Sequence, residues 1–100
     1  MEVKIVWTEP ALGDLEEIVT YISRDNPPAG ARIGASIVEH VEILSSFPYI
    51  GPTYPRGASG RTREIVCGNY RIFYRVNESS KTAEILTVWH GARGEPTLPP

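Results

Sequence analysis

The five residues "RDNPP" (24–28) interrupt a pattern that would otherwise make one long helix. Before them, Leu12, Leu15, Ile18, Val19 and Ile22 recur at helical spacing with Ala11 beside them, while Glu16, Glu17, Thr20 and Arg24 fall on the other side. After them, Ile33, Ile37, Val41 and Leu44 form a second apolar stripe. Proline inside a helix lacks its amide hydrogen and clashes with the preceding turn, whereas in the first turn it is tolerated. With Asn26 as N-cap, the break predicts two helices joined by a short turn, the second running from about Pro27 to Ser46. Gly30 and Gly34 project close to the second stripe, where each costs the helix about 1 kcal/mol relative to alanine. The compensation expected is close approach of the other helix.

A helical hairpin needs a second layer to bury its apolar face, and the rest of the chain supplies strands. "VKIVW" (3–7) opens as a short one, and Thr8 can cap the first helix, with Glu9 and Pro10 in its first turn. The stretch "FPYIGPTYPRGASGR" (47–61) is dense in proline and glycine, a loop of a length that is functional or partly a short strand. Three strand-like runs follow, "TREIV", "YRIFYRV" and "AEILTVW", linked by "CGN" and "NESSKT". Ile85 to Trp89 is apolar on both faces apart from Thr87, which predicts a central strand. The expected fold is α+β, in the order β-α-α-β-β-β, with the helical hairpin packed on one face of a small, largely antiparallel sheet. Residues 1–100 form a single domain in this reading, with 94–100 as a frayed tail.

In "YRIFYRV" (70–76), Ile72, Tyr74 and Val76 alternate with Arg71, Phe73 and Arg75. With the helices over the first set, the second is expected on an uncovered face. Charge is distributed to match: residues 1–55 carry three cations against eight acids, and residues 56–100 carry seven against four. Six of those seven are arginine, which suits bidentate pairing with carboxylate or phosphate. Either that half meets an anionic partner, or the charges form a mixed solvated surface.

Several chemistries are set aside. No glycine loop precedes a lysine, no G-x-S-x-G occurs, and His40 and His90 fall on different elements without metal-ligand spacing. Neither metal nor cofactor is expected. The lone Cys67 allows no internal disulfide, and no apolar run reaches the roughly 20 residues of a membrane span. With no signal-peptide pattern, the expectation is a cytoplasmic protein without membrane contact. What remains is Arg63, Tyr70, Arg71, Phe73, Arg75, His90 and Arg93, with Arg56 and Arg61 on the preceding loop. Arginine can stabilise a pentacovalent phosphate, and histidine or tyrosine can move protons. Each residue also has an ordinary structural role open to it: Arg63 pairing with Glu84 or Glu64, Tyr70 and Tyr74 packing, His90 ending a strand.

The pattern "W.....DL..I..YI...NP" (7–27), "I...V..L...P..G" (37–51), "RE.....YRIFYRV" (63–76) and "IL.V.HGAR" (85–93) resembles the ParE/RelE toxin superfamily over nearly the whole chain. The resemblance implies a toxin of a bacterial toxin–antitoxin module, neutralised by a cognate antitoxin whose C-terminal segment wraps the toxin. RelE-like members cleave mRNA on the ribosome, and ParE-like members poison DNA gyrase. Under the nuclease reading the catalytic set would be Arg63, Arg71, His90 and Arg93; under either, Arg63, Tyr70, Arg71, Phe73, Arg75, His90 and Arg93 would meet the target or antitoxin. The nuclease branch usually adds a tyrosine near the C-terminus and in some members a glutamate after the second helix. Here the chain ends "HGARGEPTLPP", and 47–62 has no acidic residue, so the resemblance favours the gyrase branch. A toxin whose complex formation outlives its toxicity is the third reading. DNA binding by this chain alone is not expected, because its net charge is negative.

Overall fold

In the computed structural model, residues 1–56 and 60–98 are described; 57–59 of the expected loop and 99–100 of the expected tail lie outside them. Strand β1 spans Lys4–Trp7, helix α1 Glu9–Ser23, helix α2 Pro27–Val41, and strands β2, β3 and β4 span Arg63–Cys67, Tyr70–Asn77 and Thr82–His90. The sheet order is β1-β4-β3-β2. β1 runs parallel to β4, and the other two pairings are antiparallel, so the sheet is mixed and β4 is interior.

Both helix starts follow their caps. Thr8 accepts from the Ala11 amide and donates its hydroxyl to the Ile85 carbonyl at 2.6 Å, tying α1 to the sheet. Asn26 Oδ1 accepts from the Ala29 amide at 3.1 Å. The two glycines of α2 do let the helices approach: a Cβ on Gly30 would crowd the Ser23 side chain and lie 2.9 Å from the Val19 carbonyl oxygen. On Gly34 it would lie 2.9 Å from a Val19 methyl.

α2 ends five residues earlier than the apolar spacing indicates. Its last turn tightens into a 3-10 turn, Glu42–Ser45, whose Ser45 carbonyl accepts from the Val3 amide at 2.9 Å. Leu44 in this turn is fully buried, and the turn is bonded to the residue just before β1. Leu12 departs from its expected stripe and is half exposed; Ala11 is the fully buried residue there.

The core lies between hairpin and sheet, with Ala11, Ile37, Val41 and Leu44 facing Ile72, Tyr74, Ala83, Ile85 and Val88. Between Thr87, the partner of Phe73, and Ile85, the partner of Tyr74, Leu86 is unpaired where the register shifts, leaving a bulge in β4. Beyond the end of β1, Asp14 of α1 takes over the exposed edge of β4: one carboxylate oxygen accepts from the Val88 amide at 3.1 Å and the Thr87 hydroxyl at 2.5 Å. Asp14→Ala is expected to lower unfolding free energy by about 1.5 kcal/mol, because charge-assisted bonds from the Val88 amide and the Thr87 hydroxyl, both on buried residues, are lost together. Chemical denaturation measures it, and Asp14→Asn should recover part of the loss.

Candidate functional site

Alternation in β3 places Arg71, Phe73 and Arg75 on the face away from the helices, but that face is not uncovered. Phe73 is fully buried. The loop after the 3-10 turn folds over it: Thr53 bridges to Arg63, the Tyr54 amide donates to the Thr62 carbonyl at 2.7 Å, and the Glu64 amide donates to the Pro52 carbonyl at 3.0 Å. These bonds bring the buried Tyr54 ring edge-on to Phe73, with centroids 4.9 Å apart. A Pro- and Gly-rich loop pinned to a sheet edge does here what a second helical layer does elsewhere.

Arg71 is enclosed by this arrangement. Its Nε donates to Glu64 at 2.5 Å and a terminal nitrogen donates to the other carboxylate oxygen at 3.3 Å, a two-point pair across β2 and β3. Its guanidinium stacks 5.0 Å from the Phe73 ring centroid and 5.6 Å from that of Tyr54. The hydrogen bond to Glu64 raises its already high pKa against the opposing effect of burial. Arg71 is therefore a fixed cation, about a fifth exposed.

Arg63 does not take either carboxylate partner expected of it. It donates to the Gly51 carbonyl at 2.7 Å and lies 5.0 Å over the Tyr49 ring, fastening the loop. Tyr49 in turn donates to Glu78 in the β3–β4 turn. Arg75 stands opposite Glu84 in register.

Tyr70 and His90 are not brought to this face. They pair across β3 and β4 on the helix side, with Tyr70 buried and the rings edge-on at 5.3 Å. Burial raises the Tyr70 pKa. His90 Nδ1 accepts from the Ala92 amide at 3.0 Å and so caps the 3-10 turn Gly91–Arg93. Arg93 stacks 4.5 Å over Trp89, whose indole N–H donates to the Gly94 carbonyl at 3.1 Å. The "HGAR" motif thus builds a turn after β4 and leads the chain toward Tyr54, whose hydroxyl donates to Glu95. That bond raises the Tyr54 pKa and, with Arg56 and Arg71 nearby, lowers that of Glu95.

Of the seven residues singled out in the sequence, Arg71, Phe73 and Arg75 share the face, Arg63 holds the loop at its margin, Arg93 stacks on Trp89 after the end of β4, and Tyr70 and His90 lie across the sheet. Tyr54, Trp89 and Glu95 complete the cluster and were not anticipated, and Glu64, expected as a partner of Arg63, pairs with Arg71 instead. An aromatic between two prolines in "PTYP" was the one available signal, since such a ring must pack on something to be worth placing there. Among the described residues no group of three or more histidine, cysteine or acidic side chains could hold a metal ion, and no helix is long and apolar enough to cross a membrane.

A family model described as the ParE toxin of the type II toxin–antitoxin system, parDE, matches residues 5–94. The chain belongs to that family. It is 40% identical over 97 residues to "Putative toxin Y4kP" of Sinorhizobium fredii (strain NBRC 101917 / NGR234), covering 95% of each chain. Among solved structures it is similar to a chain of the RelBE2 toxin–antitoxin complex of Mycobacterium tuberculosis, with 29% identity, a TM-score of 0.69 and coverage of 90% of this chain and 99% of that one. A chain of the chromosomal ParDE system of P. aeruginosa shares the fold at a TM-score of 0.76 and 22% identity, over 89% and 96% of the two chains. In this ParE-family chain, the face that the superfamily resemblance marked for function is a closed cluster of paired groups.

Proposed function

We propose that this chain is the toxin of a two-gene module, neutralised in the cytoplasm by a cognate antitoxin, and that it inhibits DNA gyrase by binding rather than by cutting RNA. The observation that supports the choice of target is the state of the proton-transfer groups beside Arg71. Glu64 is committed to Arg71, and the Tyr54–Glu95 hydrogen bond drives the phenol above its ordinary pKa and the carboxyl below its own. A catalytic acid or base must be within hydrogen-bond reach of the substrate, and these groups are engaged with one another instead. His90 is on the other side of the sheet. Cleavage of mRNA in a translation extract with supercoiling unaffected would overturn the gyrase reading. Normal growth on induction without the antitoxin would favour the reading in which only complex formation persists.

The surface that best fits an antitoxin segment lies at the β2 edge. His40, Ile43, Ile50, Pro52, Ile65 and Val66 line a groove of about 320 Å³ between α2, the loop and that edge. Ile43, Ile50 and Val66 are 40%, 54% and 57% exposed, a grouping of aliphatic side chains that marks an interaction site more than scattered apolar residues do. A segment that is disordered when free and folds on binding would bury these anchors and extend the sheet. Ile50→Asp and Val66→Glu are expected to weaken association with the antitoxin at least about tenfold, because each leaves a charge against a buried apolar partner. Both should keep unfolding free energy within about 0.5 kcal/mol, as exposed substitutions do. Isothermal titration against the co-encoded protein reads the effect, and two unchanged affinities would place the interface elsewhere.

A further inference from the structure

The corner where the loop before β2 meets the β3–β4 turn holds a polar pocket of about 790 Å³. Arg61 of the loop, Arg63 of β2 and Arg75 of β3 all line it. Arg63 is already oriented: one terminal nitrogen donates to the Gly51 carbonyl at 2.7 Å and to the Tyr49 carbonyl at 3.4 Å, with the guanidinium 5.0 Å over the Tyr49 ring. A fork fixed through one of its nitrogens keeps donors on the others. The uncharged lining adds donors too. Asn77 accepts the Ser80 amide on its side-chain oxygen at 3.1 Å, so its NH2 group is what remains for a ligand, and Thr53 and Ser79 bring hydroxyls. Two carboxylates share the lining: Glu78 accepts the Tyr49 hydroxyl, and Glu84 stands opposite Arg75 in register. Three guanidiniums against two carboxylates leave the pocket positive.

This set of donors selects among anions. A carboxylate offers two oxygens in one plane, which a single guanidinium fork satisfies. A terminal phosphoryl group offers three oxygens spread in space and carries close to two charges near neutral pH. Guanidiniums delivered from a loop and two strands, with hydroxyl and amide donors among them, match the second shape. A phosphodiester within a nucleic-acid strand has fewer free oxygens and a single charge, and the pocket has the volume of a small-molecule site. We infer that this pocket binds the terminal phosphoryl group of a small phosphate ester or polyphosphate, with Arg61, Arg63 and Arg75 as its cationic contacts. Because Arg63 is held before the ligand arrives, less ordering opposes binding there. The inference is independent of whether the chain acts on gyrase or on the ribosome.

Inorganic pyrophosphate is the probe, titrated into the whole chain at about 0.15 M salt, where exposed charges are largely screened. Amide chemical shifts at Thr53, Asn77 and Ser79 should saturate with a Kd below about 1 mM. Arg61→Gln and Arg75→Gln should each raise that Kd at least about tenfold, because each removes charge-assisted donors, and the double variant should show no saturation. Arg61 is exposed on the loop, so its variant carries the test should Arg75→Gln disturb the sheet. Two further titrations fix the chemistry and its source. Succinate should bind at least about tenfold more weakly than pyrophosphate, since its carboxylates present fewer oxygens to the same donors. A short oligothymidylate without terminal phosphates should fail to displace pyrophosphate. No saturation by pyrophosphate, unchanged affinity in the double variant, equal binding of succinate, or displacement by the oligonucleotide would each overturn the inference.

Discussion

Replacing Gly51 by alanine is expected to cost about 3 kcal/mol of folding stability. A Cβ there would lie 2.5 Å from the Glu64 carbonyl oxygen and 2.8 Å from the Tyr74 hydroxyl. Neither can retreat freely: the first belongs to β2 in its pairing with β3, and the second ends a fully buried side chain. Gly51 also donates its amide to that hydroxyl at 3.0 Å and accepts from Arg63 at 2.7 Å. The loop must lift to accommodate the methyl group, so overpacking strain of roughly 1–3 kcal/mol is joined by about 1 kcal/mol for a buried hydrogen bond. Urea denaturation followed by tryptophan fluorescence should show a lower midpoint with an unchanged slope. A loss under about 1 kcal/mol would mean that the loop relaxes around the methyl group and is not held where the bonding places it.

Arg71→Ala is expected to destabilise by about 2 kcal/mol, well beyond the half kilocalorie typical of an exposed-face substitution. The change strips Glu64 of its two-point partner and removes a cation stacked on Phe73 and Tyr54. A fully buried pair broken on one side costs about 3–5 kcal/mol and an exposed one about 0–1, and this pair, about one-fifth exposed, falls between. Arg71→Lys should recover less than half, since an ammonium supplies neither the fork nor the flat stacking surface. A double-mutant cycle with Glu64→Ala isolates the pair: a coupling near zero would show that Arg71 acts through its rings alone. If Arg71→Ala abolishes toxicity while the fold survives, its role at the target and its role in the cluster can be separated by the lysine variant.

The sequence alone determined the elements and their layering. Two apolar stripes at helical spacing, a proline break with its own N-cap, and strand-like runs after a proline-rich loop leave few compact arrangements. The glycines of α2 were legible for the same reason, because a costly residue in a helix implies a close neighbour. Those signals are local, and local spacing fixes which face a residue shares. What covers the second face was decided by tertiary structure. Alternation put Arg71, Phe73 and Arg75 together, but nothing in the spacing brings Tyr54 from 19 residues before Phe73 or Glu95 from 22 residues after it. Those partners depend on where the loop meets the β2 edge through backbone hydrogen bonds, and on how the His90 side-chain cap and the positive φ of Gly94 turn the chain, none of which leaves a side-chain periodicity. Tyr70 and His90 went to the other side for the same reason that Phe73 did not: pairing in register sets a side chain's face, and chemical type does not.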